Sequence, residues 1–196
     1  MLLEISIKVL PRPNTEVTQV IAMSQKDALQ KMHELNQTPL PLSGLAYENE
    51  KLYIRLSGAK SAVTSAQHKI SGETLVHAEK FWQQLNEHTH SFFEAAKNKN
   101  LWRLSVPYTA DINLDEESFI DWAGALYWVA SDKEPEVIQQ IAFEQGGAAT
   151  LFKTSSDSSQ ERFPPLQAKI KQLQINLKIR FDPYGILNYG RLYSDL

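Results

Sequence analysis

Leu3, Ile5, Ile7 and Val9 alternate with Glu4, Ser6 and Lys8. That two-residue period predicts a half-buried strand over residues 2–10, ended by Pro11-Arg12-Pro13. The pattern then restarts. Residues 16–22 read as a strand, and residues 24–36 as a helix with Ala28, Leu29, Met32 and Leu35 on one face. Ser24, three residues before Asp27, supplies an N-cap. Residues 42–47 and 51–56 predict a hairpin across Glu48-Asn49-Glu50. Ala59, Ala62, Val63 and Ala66 mark a second helix, and residues 74–77 a short strand. The order βαββαβ is the ferredoxin-like arrangement.

A similar order recurs in the second half without sequence identity. Residues 101–106 read as a strand, and the polar stretch 109–117 stands where a helix would be. Residues 119–122 and 125–130 form a hairpin around Gly124. Val137, Ile138, Ile141 and Ala142 then lie on a helix capped by Ser131 with Glu134 and ended by Gly146-Gly147. Residues 148–152 complete the unit as a strand. Residues 78–97, between the halves, read as mainly helical, and the Ser-rich stretch 154–161 as a loop. Near the end, Leu166, Ile170, Leu173, Leu177 and Phe181 recur at helical spacing, and Asp182-Pro183 stops the helix. The predicted class is α+β: two ferredoxin-like halves forming an antiparallel sheet with helices on one face.

Composition narrows the function classes. The 196 residues carry a formal net charge of -3, and no basic cluster is interleaved with aromatics, which argues against a nucleic-acid partner. No apolar run has the length of a membrane span, so no membrane insertion is expected. The chain has no cysteine, which excludes disulfides, thiol nucleophiles and iron-sulfur ligation by cysteines of this chain, and fits a reducing, cytoplasmic compartment. The eight glycines are scattered, so no Gly-rich loop presents backbone N–H groups to a pyrophosphate.

The tail Phe181-Asp182-Pro183-Tyr184-Gly185-Ile186-Leu187-Asn188-Tyr189-Gly190-Arg191 supports two readings. Its glycines can supply positive-φ turns while Ile186 and Leu187 anchor the terminus on the core. It also resembles the carboxy-terminal signature of the FAD-linked oxidases, close to F-D-P-x-G-I-L-N-P-G-[RK], with Tyr189 where proline is usual. Further stretches point in order to the E-subunit family of bacterial glycolate oxidase: Arg55-Leu56-Ser57-Gly58-Ala59, Leu101-Trp102-Arg103-Leu104-Ser105-Val106-Pro107, Trp122-Ala123-Gly124-Ala125-Leu126-Tyr127-Trp128 and Gly146-Gly147-Ala148-Ala149-Thr150-Leu151-Phe152.

The resemblance implies a cap domain made of two ferredoxin-like halves. It divides the chain into residues 1–13 as the last strand of an absent FAD-binding domain and linker, 14–100 as the first half with its connecting helix, and 101–196 as the second half, long helix and tail. FAD is then expected in a full-length protein and not on this chain alone. The implied partners are the catalytic and iron-sulfur subunits of glycolate oxidase, and the implied activity is oxidation of glycolate to glyoxylate in a flavin-dependent complex. The histidine-rich H-x-G-D-G-N-x-H motif usual in the catalytic subunit is absent. By the family's pattern Asn188, Gly190 and Arg191 are the positions that lie near flavin.

The remaining candidates are weighed on their residues. Arg103 lies between Trp102 and Leu104 in a strand and points away from both. It can clamp a substrate carboxylate or pair with an acidic residue on the sheet's polar face, and Arg55 has the same alternatives. His88 and His90 do not share a helix face, and His90 with Glu87 and Glu94 favours an ordinary polar surface over a metal site. Trp122, Tyr127 and Trp128 are expected in the core. Asp111 and Asp121 have no histidine or second carboxylate near in sequence, so no catalytic pair is assigned. A different class of function also remains open: a free-standing interaction module, or a homodimer, docking through the strand 2–10.

Overall fold

The computed structural model describes residues 4–9, 11–112, 114–155 and 162–193. Its centre is one antiparallel sheet of eight strands, which lie side by side in the order 73–74, 15–22, 51–58, 42–48, 118–121, 126–130, 101–105 and 148–153. In the first half, β1 (Thr15–Ala22), α1 (Gln25–Asn36), β2 (Leu42–Glu48), β3 (Lys51–Gly58), α2 (Lys60–Ile70) and β4 (Glu73–Thr74) follow the predicted βαββαβ order. Ser24 caps α1 as expected, its Oγ accepting the Asp27 N–H at 3.2 Å and donating to the Asp27 carboxylate at 2.7 Å. The hairpin closes through Asn49 and Glu50, both at positive φ, the turn whose twist matches that of paired strands.

The second half comprises β5 (Leu101–Ser105), β6 (Ser118–Asp121), β7 (Leu126–Ala130), α5 (Pro135–Glu144) and β8 (Ala148–Lys153). Its strand order mirrors the first half, and the halves meet edge to edge where Tyr47 of β2 faces Ile120 of β6. The polar stretch expected in place of the first crossover helix does occupy that position. Its Ala110 and Ile112 enter the core, and its carbonyls accept from the Tyr127 hydroxyl at 3.4 Å and the Gln25 amide at 2.8 Å. Burial therefore rests on two apolar residues while side chains from other elements satisfy the backbone.

Strand alternation sends two sets of side chains to opposite faces. Leu45, Ile54, Trp102, Leu104, Tyr127 and Leu151 form one core with Met32 of α1, Val63 of α2 and Ile138 of α5. The crossover helices of both halves thus share one face. The connector between the halves, α3 (Ala78–Asn86) and α4 (Ser91–Ala95), covers part of the other. There Trp82, Leu85, Phe92 and Phe93 pack on Ala46, Leu101, Phe119 and Trp128. The long helix α6 (Ala168–Phe181) buries no residue.

The N-terminal segment and the start of α5 depart from the sequence expectation. Residues 4–9 form no strand, and Ile5, Ile7 and Val9 are exposed; Leu2, Leu3 and Leu10 lie outside the described residues. Alternation makes a strand only where backbone partners are found, and residues 4–9 pair with no described strand, although β4 covers only Gln19 and Val20 on the outer edge of β1. Ser131 does not cap α5 either. Pro135 at the first turn fixes the helix start one residue after Glu134, whose backbone is extended, as proline demands of the residue before it. Ser131 Oγ instead accepts the Lys133 N–H at 3.2 Å and donates to Glu116 at 3.3 Å.

Gly147 fixes the approach of β8 to β5, because a Cβ there would sit 2.3 Å from the Ser105 carbonyl oxygen and 2.6 Å from Val106 Cγ1. Gly147→Ala must push backbone rather than a flexible side chain. It should cost about 2–3 kcal/mol, a fall in Tm of roughly 5–10 °C. Gly185→Ala, where a Cβ meets nothing within 4 Å, should cost about 1 kcal/mol from its positive φ alone. Thermal unfolding of both variants checks the order, and equal losses would contradict it.

Candidate functional site

Arg55 and Arg103 both project from the face partly covered by α3 and α4, and the structure gives them different surroundings. Arg55 Nη2 donates to Glu16 Oε2 at 2.9 Å, Ser57 Oγ donates to the other Glu16 oxygen at 3.0 Å, and the guanidinium lies 5.7 Å from the Trp82 ring. The hydrogen bond from Arg55 is the main cause that holds the Glu16 carboxyl below its ordinary range. Arg55 is thus the paired arginine of the two alternatives.

Arg103 is half-buried and has no carboxylate within ion-pair distance among the described residues. Its Nη1 donates to Ser105 Oγ at 2.8 Å, and its Cζ lies 5.3 Å from the Trp122 ring. Across the ladders it faces Trp128 of β7 and Thr150 of β8. Side chains from three of the sequence stretches singled out above, 101–107, 122–128 and 146–152, thereby meet on one patch of the sheet. With one N–H given to a hydroxyl, a guanidinium retains donors for a planar anion.

Beside this patch a cleft of about 350 Å³ opens at the seam between the halves, lined by Asn36, Ser43, Arg55, Trp82, Asp121 and Trp122 among others. Tyr127 and Trp128 are buried, as expected, but Trp122 is 63% exposed and belongs to the surface. The turn Trp122–Gly124 throws the indole outward, and Asp121, whose pKa burial raises, accepts the Trp122 N–H at 2.7 Å. The Asp-x-x-Gly spacing was the available signal. Asp111 has no second acidic or histidine partner in a ligating group among the described residues.

The two histidines serve the aromatic core. His88 stacks on Phe93 at 4.6 Å and meets Trp128 edge-on at 4.8 Å. His90 caps α4, its Nδ1 accepting the Phe92 N–H at 3.4 Å, and its Nε2 lies 3.7 Å from Glu48 Oε2. Glu87 and Glu94 therefore do not join His90, and no group of three metal-ligating residues occurs among the described residues. Periodicity could not reveal the Glu48–His90 contact, because Glu48 belongs to a hairpin 42 positions away.

The tail is folded on itself. The Asp182 carboxylate accepts N–H groups from Ile186 at 3.0 Å and Leu187 at 2.8 Å, while Lys178 donates to Asp182 and to the Leu187 carbonyl. Those backbone donors, Leu187 first, hold the Asp182 carboxyl below its ordinary range. Ile186 and Leu187 are exposed, so they do not anchor the terminus on the core. Asn188 and Gly190 take positive φ, the Arg191 N–H donates to the Asn188 carbonyl at 3.2 Å, and all three are exposed. No described hydrogen bond or ion pair joins them to Arg103.

Burial pushes Glu48 up to about 7, with repulsion from Glu117 adding to it, and burial pushes His90 down. Both shifts remove charge, so desolvation outweighs the mutual attraction and each group favours its neutral form. A carboxyl raised in the folded state contributes stability that is fully present below its unfolded value near 4.5 and lost as pH rises through about 7. Glu48→Gln should therefore match the parent near pH 4 and exceed it at pH 8 by about 1–2 kcal/mol. Urea midpoints at the two pH values read this directly, and a parent that is the more stable at pH 8 would refute it.

No protein-family model matches the chain. The chain is 39% identical over its whole length to the glycolate oxidase subunit GlcE of Escherichia coli (strain K12), and it spans 54% of that protein's length, its C-terminal part. No described helix is long and apolar enough to cross a membrane. Along its whole length the chain is thus similar to the C-terminal part of the glycolate oxidase E subunit, and its eight-stranded antiparallel sheet with helices is an α+β fold.

Proposed function

We propose that this chain is the cap and C-terminal domain of a glycolate oxidase E subunit, incomplete alone, contributing to oxidation of glycolate to glyoxylate in a multi-subunit flavin-dependent complex. The identity along the entire chain carries the reading. The outward apolar surface supports it: Ile170, Leu173, Leu177 and Phe181 form one stripe of α6 and all are exposed, while the less exposed side of the helix carries Lys171, Gln174, Ile175 and Lys178. A stripe in that orientation fits a helix whose partner is a separate folded unit. The flavin-binding half of a longer subunit, with its catalytic and iron-sulfur partners, is the match for it.

The adjacent glycines of the described residues do not suit the pyrophosphate of FAD. The Gly146-Gly147 pair ends α5 rather than opening a helix, so its backbone makes no pyrophosphate cradle at a helix N-terminus. FAD supplies the redox chemistry where the other half binds it. On this chain, Asn188, Gly190 and Arg191 are the proposed flavin contacts and Arg103 the proposed substrate-carboxylate contact.

The test is a chimera in which this chain replaces the matched part of the E. coli subunit. Expected are flavin retained through gel filtration and glycolate-dependent dye reduction once the partner subunits are present. Leu173→Glu with Leu177→Glu should reduce flavin retention at least tenfold with little change in Tm, since both side chains are about half exposed already. Asn188→Ala and Arg191→Ala should also lose flavin while keeping Tm. A chimera that assembles no flavin-bound complex would overturn the reading.

A further inference from the structure

The turn leaving β6 adopts a backbone that bulky L residues seldom take. Trp122 and Ala123 have φ of 51° and 57°, followed by Gly124 at 90°, all in the left-handed region. The surroundings hold it there. Asp121 accepts the Trp122 N–H at 2.7 Å, and the Ala125 N–H donates to the Trp122 carbonyl at 3.2 Å. A Cβ at Gly124 would come within 3.1 Å of Leu29 Cδ2 and 3.3 Å of the Tyr108 carbonyl oxygen. What the strained turn delivers is an exposed indole, whereas Trp82, Trp102 and Trp128 are all buried.

Beside that indole, 5.3 Å from its centroid, lies the guanidinium of Arg103. Arg103 Nη1 is held by Ser105 Oγ at 2.8 Å, and Thr150 stands directly opposite on β8. We infer that Trp122 is the aromatic wall of a receptor for a small monocarboxylate, with Arg103 supplying the charge. The inference rests on the reading of Arg103 given above and adds the residue that shapes its site. An indole beside a guanidinium shields it from water and strengthens its attraction for an anion, while leaving N–H groups for the two carboxylate oxygens.

Because the other three tryptophans are buried, acrylamide quenching of the chain's fluorescence reads Trp122. Glycolate should protect it in the parent protein, neutral acetamide should not, and Arg103→Gln should abolish the protection. Amide chemical shifts of Ser105 and Thr150 give the affinity in variants lacking the indole. Trp122→Leu should weaken glycolate at least fivefold, and Trp122→Gly should weaken it as much while raising Tm, since glycine relieves the left-handed strain. Affinity within twofold of the parent in both variants overturns the role of Trp122 and leaves the Arg103 reading standing. Absence of glycolate binding by the parent, or binding that survives Arg103→Gln, overturns both. The chimera's assembly is a separate readout that neither result alters.

Discussion

Two four-stranded units joined by a single bridge, Tyr47 opposite Ile120, require more than that ladder to act as one sheet. The connector supplies it. Trp82 and Leu85 of α3 and Phe92 and Phe93 of α4 lie over strands of both halves at once, from Ala46 to Phe119 and Trp128. Aromatic surface is well suited to this, since each ring removes a large apolar area from water. On the opposite face the turn after β6 abuts α1 at Leu29, so the seam is clamped from both sides. The position of Arg103 relative to the cleft follows from that clamp.

The contrast between the two arginines follows from what lies next to each on the sheet. β1 brings Glu16 alongside Arg55, and a paired guanidinium is held by its own chain. β7 and β8 bring Trp128 and Thr150 alongside Arg103, neither of which neutralises it. Pseudo-symmetry of the halves places strands in corresponding positions but leaves their residues independent. One half can thus keep a satisfied ion pair where the other presents a charge.

Much of this was legible in the alternation of apolar residues. Because strand parity is strict, Arg103 had to oppose Trp102 and Leu104, and its face followed without coordinates. The α1 cap at Ser24 was legible for the same reason: donor and acceptor are three residues apart. What stayed hidden depends on groups distant in sequence or on backbone outside the regular regions. The Glu48–His90 pair joins the first hairpin to the connector, and the outward turn of Trp122 depends on positive φ that residue identity rarely signals. Residues 4–9 mislead because alternation records a face to be buried without naming what buries it.

The folded tail changes how α6 should be regarded. Asp182 and Lys178 tie residues 186 and 187 to the end of the helix, so helix and tail move as one piece. Fourteen residues of α-helix span about 21 Å, and a tilt of ~10° at the base carries the far end by about 4 Å, more than one hydrogen-bond length. The helix is thus a lever arm. The accuracy with which Asn188 and Arg191 are delivered to any target is set by the seating of α6 along its length rather than by local rigidity of the tail.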